Sequence, residues 1–197
     1  MGEFLLSALS AFVPLFLAVD PLGTVPVYLA MAEEFAPRER RAIARHSLLT
    51  AVPLSIAFVV GGDAIFRVLG IQDEDFFIAG GAILFILALL DIGGFEKQPR
   101  ATGRFIGVVP LGTPLIAGPA TLAAALVMVK RHGMWPTLSA LAVNMAVLWM
   151  SLRFAEPISR LVGSAGLRAF SKLVMLLLAA LAVMLIREGV MSIARGG

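Results

Sequence analysis

Six apolar stretches, at about 4–32, 42–61, 76–92, 105–129, 134–155 and 170–193, constrain this chain more than any other feature of it. A hydrocarbon core of about 30 Å is crossed by about 20 apolar residues in a helix. Backbone groups in lipid must be satisfied internally, so only helices or closed barrels can cross. Stretches of this length predict helices, and six of them use most of the 197 residues. With 59% hydrophobic and 15% charged positions, the chain lies well outside the usual soluble range of about half and a quarter. The expectation is an all-α integral membrane protein with six transmembrane helices, in which 1–197 is a single transmembrane domain. The first stretch lacks a basic n-region and carries Asp20, so it reads as a retained span rather than a cleaved signal.

Two of the six stretches are interrupted. The first contains Pro14, Asp20, Pro21, Gly23 and Pro26; the fourth contains Pro110, Gly112, Pro114, Gly118 and Pro119. Each proline removes a backbone donor and collides with the preceding turn, so spans one and four should be broken. A broken helix opening each set of three spans is the pattern of an inverted-topology repeat, with 1–95 as the first three-helix repeat and 104–197 as the second. The preferred register sets "VDPLGT" over "AGPATL", placing Asp20 opposite Gly118. The literal repeat "PLGT" at 21–24 and 110–113 gives a competing one. Between spans two and three, 64–70 reads as a short interfacial helix.

Lys and Arg sort unevenly between the two sides that six crossings define. The loops after spans one, three and five carry 11, from Arg38 to Lys172, and the opposite side carries 5, together with Asp73, Glu74 and Asp75. The basic side should be cytoplasmic, which puts both termini outside. The net charge of +3 gives no reason to expect nucleic-acid binding, and the absence of cysteine removes disulfides and thiolate metal sites. His46 and His132 stand alone, so no metal site is expected. No HExxH, GxSxG or Walker-type loop occurs, and the chain is not expected to be an enzyme or to need a cofactor beyond a coupling proton or sodium ion.

A break inside a bilayer frees N–H and C=O groups that cost several kcal/mol each unless something satisfies them. Half-helix N-termini suit an anionic group and C-terminal carbonyls a cation. A zwitterion matches both. The candidate substrate-binding residues are therefore Asp20, Pro21, Gly23, Thr24, Gly118, Pro119, Ala120, Thr121 and Asn144, with Thr113 behind them. Asp20 and Asp91 are the candidates for ion coupling, because an ionisable group at membrane depth is functional by default. Structural readings stand beside these. Asp20 can serve only as an N-cap with Pro21 at the first helical position, Pro119 can mark a mere kink, Asn144 can bond between helices, and Asp91 can be a wetted helix end.

At "DPLGTVPVYLA", "FIAGGAILFILALL", "PLGTPLIAGPATLAAAL" and "KLVMLLLAALAVMLIREGV" the chain resembles the MarC family of inner-membrane proteins, which includes the SnatA-type small neutral amino acid transporters and is related to the LysE-type exporters. The resemblance covers nearly the whole chain. It implies six spans in the inner membrane and transport of glycine, alanine or similar amino acids, coupled to an ion gradient. The family's first motif falls on Asp20, Pro21, Gly23 and Pro26, and its second on Pro110, Pro114, Gly118 and Pro119. Ala120 and Met175 stand where the family often has glycine. The expected function is a secondary transporter working by alternating access at a midplane site between spans one and four; its partners are a small amino acid and the lipid bilayer, with a homo-oligomer allowed. The alternatives are a non-transporting membrane scaffold or regulator, or an exporter of another small polar metabolite.

Overall fold

The computed structural model describes residues 2–32, 35–94 and 116–195. These residues form seven helices and, among them, no strand: α1 (Gly2–Val19), α2 (Thr24–Ala32), α3 (Pro37–Leu69), α4 (Asp73–Ile92), α5 (Pro119–His132), α6 (Met134–Arg153) and α7 (Ala155–Ala194). Five segments among them are long and apolar enough to cross a membrane: Gly2–Ala32, Pro37–Gly62, Glu74–Ile92, Met134–Arg153 and Ala155–Ala194. The protein is an all-α integral membrane protein. α5, with 14 residues, covers about 21 Å at 1.5 Å per residue, less than a full crossing. The upstream part of the expected fourth span lies outside the described residues, as do Pro110, Thr113 and Pro114.

The first stretch is two helices. The ring of Pro21 disfavours the α-conformation at Asp20 and supplies no N–H, so α1 ends at Val19 and α2 starts at Thr24. In the fourth stretch, Gly118 is extended (φ −85°, ψ 177°) and caps α5, with Pro119 in its first turn.

Other boundaries differ from expectation. The second stretch is longer than its apolar run, because α3 continues from Pro37 to Leu69. The segment 64–70 is thus mostly the last turns of α3 rather than a separate interfacial helix. Ahead of the sixth, α7 opens with a short helical piece from Ala155 that is interrupted at Gly163 (φ 76°, ψ 154°), so the helix holding the expected stretch begins just after that glycine rather than near 170. Glycine reaches this conformation without a Cβ clash, and apolar periodicity gives no sign of it.

Side-chain contacts fix which helix ends lie together. The Tyr28 hydroxyl donates to the Arg40 carbonyl (2.8 Å) and Arg40 pairs with Glu156 (3.1 Å), gathering the end of α2 and the starts of α3 and α7. At the other end Ser192 donates to Glu74 (2.9 Å) and Arg131 pairs with Glu188, so α4 runs antiparallel to α7. These two helices form the largest interface. Small residues allow it: a Cβ on Gly81 would stand 2.7 Å from the Ala182 carbonyl oxygen, and one on Gly189 would stand 2.8 Å from that of Glu74. Close backbone approach is how membrane helices gain dispersion contacts, since lipid leaves no hydrophobic drive between them. Leu15, Leu84, Ile116, Leu148 and Leu178 fill the interior, while Leu5, Leu6, Leu49, Leu173 and Leu177 are exposed, as lipid-facing residues would be.

Candidate functional site

The interruption between α1 and α2 is stitched together by its own residues. The Asp20 N–H still reaches the Phe16 carbonyl (3.0 Å), and the Asp20 carbonyl accepts the Thr24 N–H (3.0 Å), closing one helix and opening the next. Between them the chain turns with Asp20 at φ 41°, in the left-handed region. One carboxylate oxygen of Asp20 accepts the Gly23 N–H (3.1 Å) and the other accepts the Ser171 hydroxyl of α7. The carboxylate is thus both a cap for α2 and a link to α7. It is 7% exposed.

Two threonines deal with the freed carbonyls. Thr24 Oγ1 donates to the Asp20 carbonyl (2.9 Å) and lies 3.5 Å from that of Val19. Thr121, in the first turn of α5, donates to the Ile116 carbonyl (2.7 Å) and lies 3.5 Å from the Ala18 carbonyl at the end of α1. Both hydroxyls thus lie within reach of a carbonyl five residues earlier, Val19 for Thr24 and Ile116 for Thr121.

The structure brings Asp20, Pro21, Gly23, Thr24, Gly118 and Thr121 into the buried interior. Pro119 is exposed and Ala120 half-buried, so Pro119 shapes the start of α5 without lining the site. Asn144 is fully buried and donates from Nδ2 to the Phe12 carbonyl of α1 (3.2 Å) and to that of Ala140 (3.0 Å). Its Oδ1 has no partner among the described residues. Asp91 is half-buried at the end of α4. Ser171 was not a sequence candidate; 151 positions from Asp20, in a run of small and apolar residues, it has no local signal. Gly23 is held to glycine by contact, since a Cβ there would collide with the Asp20 carboxylate and the Ser171 hydroxyl. Among the described residues no group of three or more His, Asp or Glu side chains comes together as a metal site.

A family model, MarC family integral membrane protein, matches residues 5–194. An Escherichia coli K12 protein named UPF0056 inner membrane protein YhgN is 31% identical over 191 residues, covering 92% of this chain and 95% of the relative. The UPF0056 membrane protein MJ1677 of Methanocaldococcus jannaschii is 28% identical over 192 residues, covering 91% and 94%, and YvbG of Bacillus subtilis is 28% identical over 192 residues, covering 90% and 91%. No solved structure matches. With a family model running over almost its whole length and relatives aligned nearly end to end, the chain belongs to the MarC family of integral membrane proteins.

Proposed function

We propose that the protein is a secondary transporter of small neutral amino acids, driven by a proton or sodium gradient, with its site where the break in the first span meets the start of α5. The observation that carries this reading is a buried carboxylate, Asp20, at an interruption in a membrane helix, where the Ala18 carbonyl ending α1 lies 3.5 Å from the Thr121 hydroxyl of a second helix start. In this reading the hydroxyls of Thr24 and Thr121 and the Gly23 N–H hold the site's polar groups when empty, and a substrate takes over part of that bonding. The freed carbonyls of Ala18 and Val19 suit an ammonium, the amides at the start of α5 suit a carboxylate, and the lack of room at Gly23 limits the side chain to a small one. Asp20 and Asp91 would carry the coupling charge.

Two features support an inverted repeat beneath this site. Setting aside pairs joined by a short loop, the packed helices form a set that is unchanged when spans one, two and three are exchanged for four, five and six: α1 with α5, α3 with α6 and α4 with α7 are their own images, while α1 and α2 on α6 mirror α3 on α5, and α4 on α5 mirrors α7 on α1 and α2. The same exchange relates two cavities. One, of about 490 Å³, lies among the end of α2 and start of α3 with the end of α6 and start of α7. The other, of about 620 Å³, lies among the end of α5 and start of α6 with Val59, Val60 and Ala64 of α3. They sit at opposite ends of α3 and α6, as entrances on the two membrane faces would. The proposed setting is the inner membrane, as in the name of the YhgN relative.

The same hydrogen bonds favour a second reading, a non-transporting scaffold whose break is permanently sealed. Flux of labelled alanine into proteoliposomes under imposed proton and sodium gradients separates the two. A transporter shows gradient-dependent uptake that unlabelled glycine or serine competes away and leucine does not. No uptake, together with no rise in melting temperature in glycine, alanine or serine, leaves the scaffold, since a ligand that binds only the folded state must stabilise it.

A further inference from the structure

The cavity at the end of α2 is walled by arginine. Arg38, Arg41 and Arg45 line it from α3, spaced three and four apart so that they share one helix face, and Arg153 joins them from the end of α6. Arg40 also lines the cavity and is held by Glu156 and, through Nε, by the Phe35 carbonyl (2.9 Å). The guanidinium groups of Arg38, Arg41 and Arg45 make no ion pair or hydrogen bond with a described residue, and Glu39 is turned to the Ala36 N–H (3.0 Å). Glu33 and Glu34 lie outside the described residues. Clustered guanidinium groups repel one another, and a planar fork of N–H donors is the side chain best matched to a phosphate or carboxylate.

The rest of the wall is not that of a purely aqueous anion site. Trp149 and Leu29 contribute apolar surface, and Phe154, also in the wall, is 47% exposed with the Arg153 guanidinium 5.6 Å from its ring. Aromatic side chains next to basic ones at the end of a membrane span mark the level of lipid headgroups, and basic pockets between transmembrane helices accept anionic ones. We infer that this cavity binds the headgroup of an anionic phospholipid, with the phosphate among Arg38, Arg41, Arg45 and Arg153 and the glycerol and upper acyl chains along Phe154 and Trp149. Its volume, about 490 Å³, lies within the range of about 300–1,000 Å³ typical of ligand clefts. Because the walls come from α2, α3, α6 and α7, a seated lipid joins helices from both halves of the chain. In the reading proposed above this cavity is also an entrance toward the amino acid site, but lipid binding at it does not require that reading and is measured without transport.

The test uses the whole protein in a neutral detergent, with Trp135→Phe leaving Trp149 as the sole tryptophan reporter. Short-chain phosphatidylglycerol is titrated against phosphatidylcholine of the same chains, with inorganic phosphate and glycerol phosphate as soluble arms. The expected result is saturable quenching or shift by phosphatidylglycerol, at least tenfold tighter than by phosphatidylcholine and not competed by the soluble phosphates. Arg41→Ala with Arg45→Ala weakens it at least tenfold, Arg41→Lys with Arg45→Lys weakens it less, and Arg187→Ala with Arg195→Ala, at the opposite end, leaves it unchanged. All three pairs are judged on protein whose melting temperature without lipid matches the parent; if Arg41→Ala with Arg45→Ala fails to fold, Arg38→Ala with Arg41→Ala replaces it. Equal binding of the two lipids, or unchanged binding in the folded arginine variants, overturns the proposal. Competition by soluble phosphate at similar concentration also overturns it and assigns the cavity to a soluble anion.

Discussion

Asp20 occupies a backbone conformation (φ 41°) that residues with a Cβ adopt at a cost of about 1–2 kcal/mol, and aspartate is among the few that offset it by bonding locally. Its carboxylate does so through the Gly23 N–H and adds the Ser171 hydroxyl. Asp20→Asn keeps an acceptor for Gly23 and removes the charge. The expected outcome is a folded protein, with melting temperature within a few degrees of the parent, whose gradient-driven alanine flux in proteoliposomes is lost; normal flux at every pH leaves Asp20 as a cap alone. Gly23→Ala places a methyl against both partners of that carboxylate and is expected to lower the melting temperature and abolish flux together. Thr121→Val leaves the Ile116 carbonyl without the hydroxyl that reaches it and is expected to cost about 1–3 kcal/mol, the usual penalty for orphaning a buried polar group, read as a fall in unfolding midpoint. The charged and proline positions of this site were legible in the sequence because membrane depth makes them exceptional. Ser171 was not, since serine in a membrane helix is ordinary until another element approaches it.

At the level of elements, the break in the first span was readable from one dipeptide, Asp20–Pro21, because proline acts on its neighbours whatever the tertiary context. Motif matching weighs proline and glycine, whereas the side-chain hydrogen bonds at the starts of α2 and α5 come from the hydroxyls of Thr24 and Thr121. The bend at Gly163 and the long reach of α3 and α7 were hidden because their outer turns carry charge, as helix ends beyond the hydrocarbon must. The pairing of α4 with α7 depends on backbone approach at Gly81 and Gly189. Gly81→Val and Gly189→Val push against main-chain oxygens that cannot move aside, and each is expected to destabilise by about 1–3 kcal/mol. Gly61→Ala, where a Cβ meets nothing within 4 Å, is the matched control and should leave the unfolding midpoint nearly unchanged.

For the whole molecule, the hydrogen bonds and ion pairs at helix ends assign every described connection, except the buried break between α1 and α2, to one of two faces. The ends of α2 and α6 and the starts of α3 and α7 share one, and the starts of α4 and α6 and the ends of α5 and α7 share the other. The first face carries Arg38, Arg40, Arg41, Arg45 and Arg153, and basic residues are retained on the cytoplasmic side during insertion. On that rule the amino terminus, at the far end of α1, is expected outside. The absence of native cysteine makes this directly measurable, because a single introduced thiol is the sole target of a membrane-impermeant maleimide. Cysteine at Ser159, near the start of α7, should react only after the membrane that holds the protein is opened, whereas cysteine at Gln72, just before α4, should react in spheroplasts without lysis. Both sites are exposed or half-exposed, so labelling reports sidedness rather than burial. The reverse pattern would turn the arginine-lined cavity outward while leaving the fold intact; labelling of both thiols from one side would contradict the antiparallel run of α4 and α7 on which the two-faced arrangement rests.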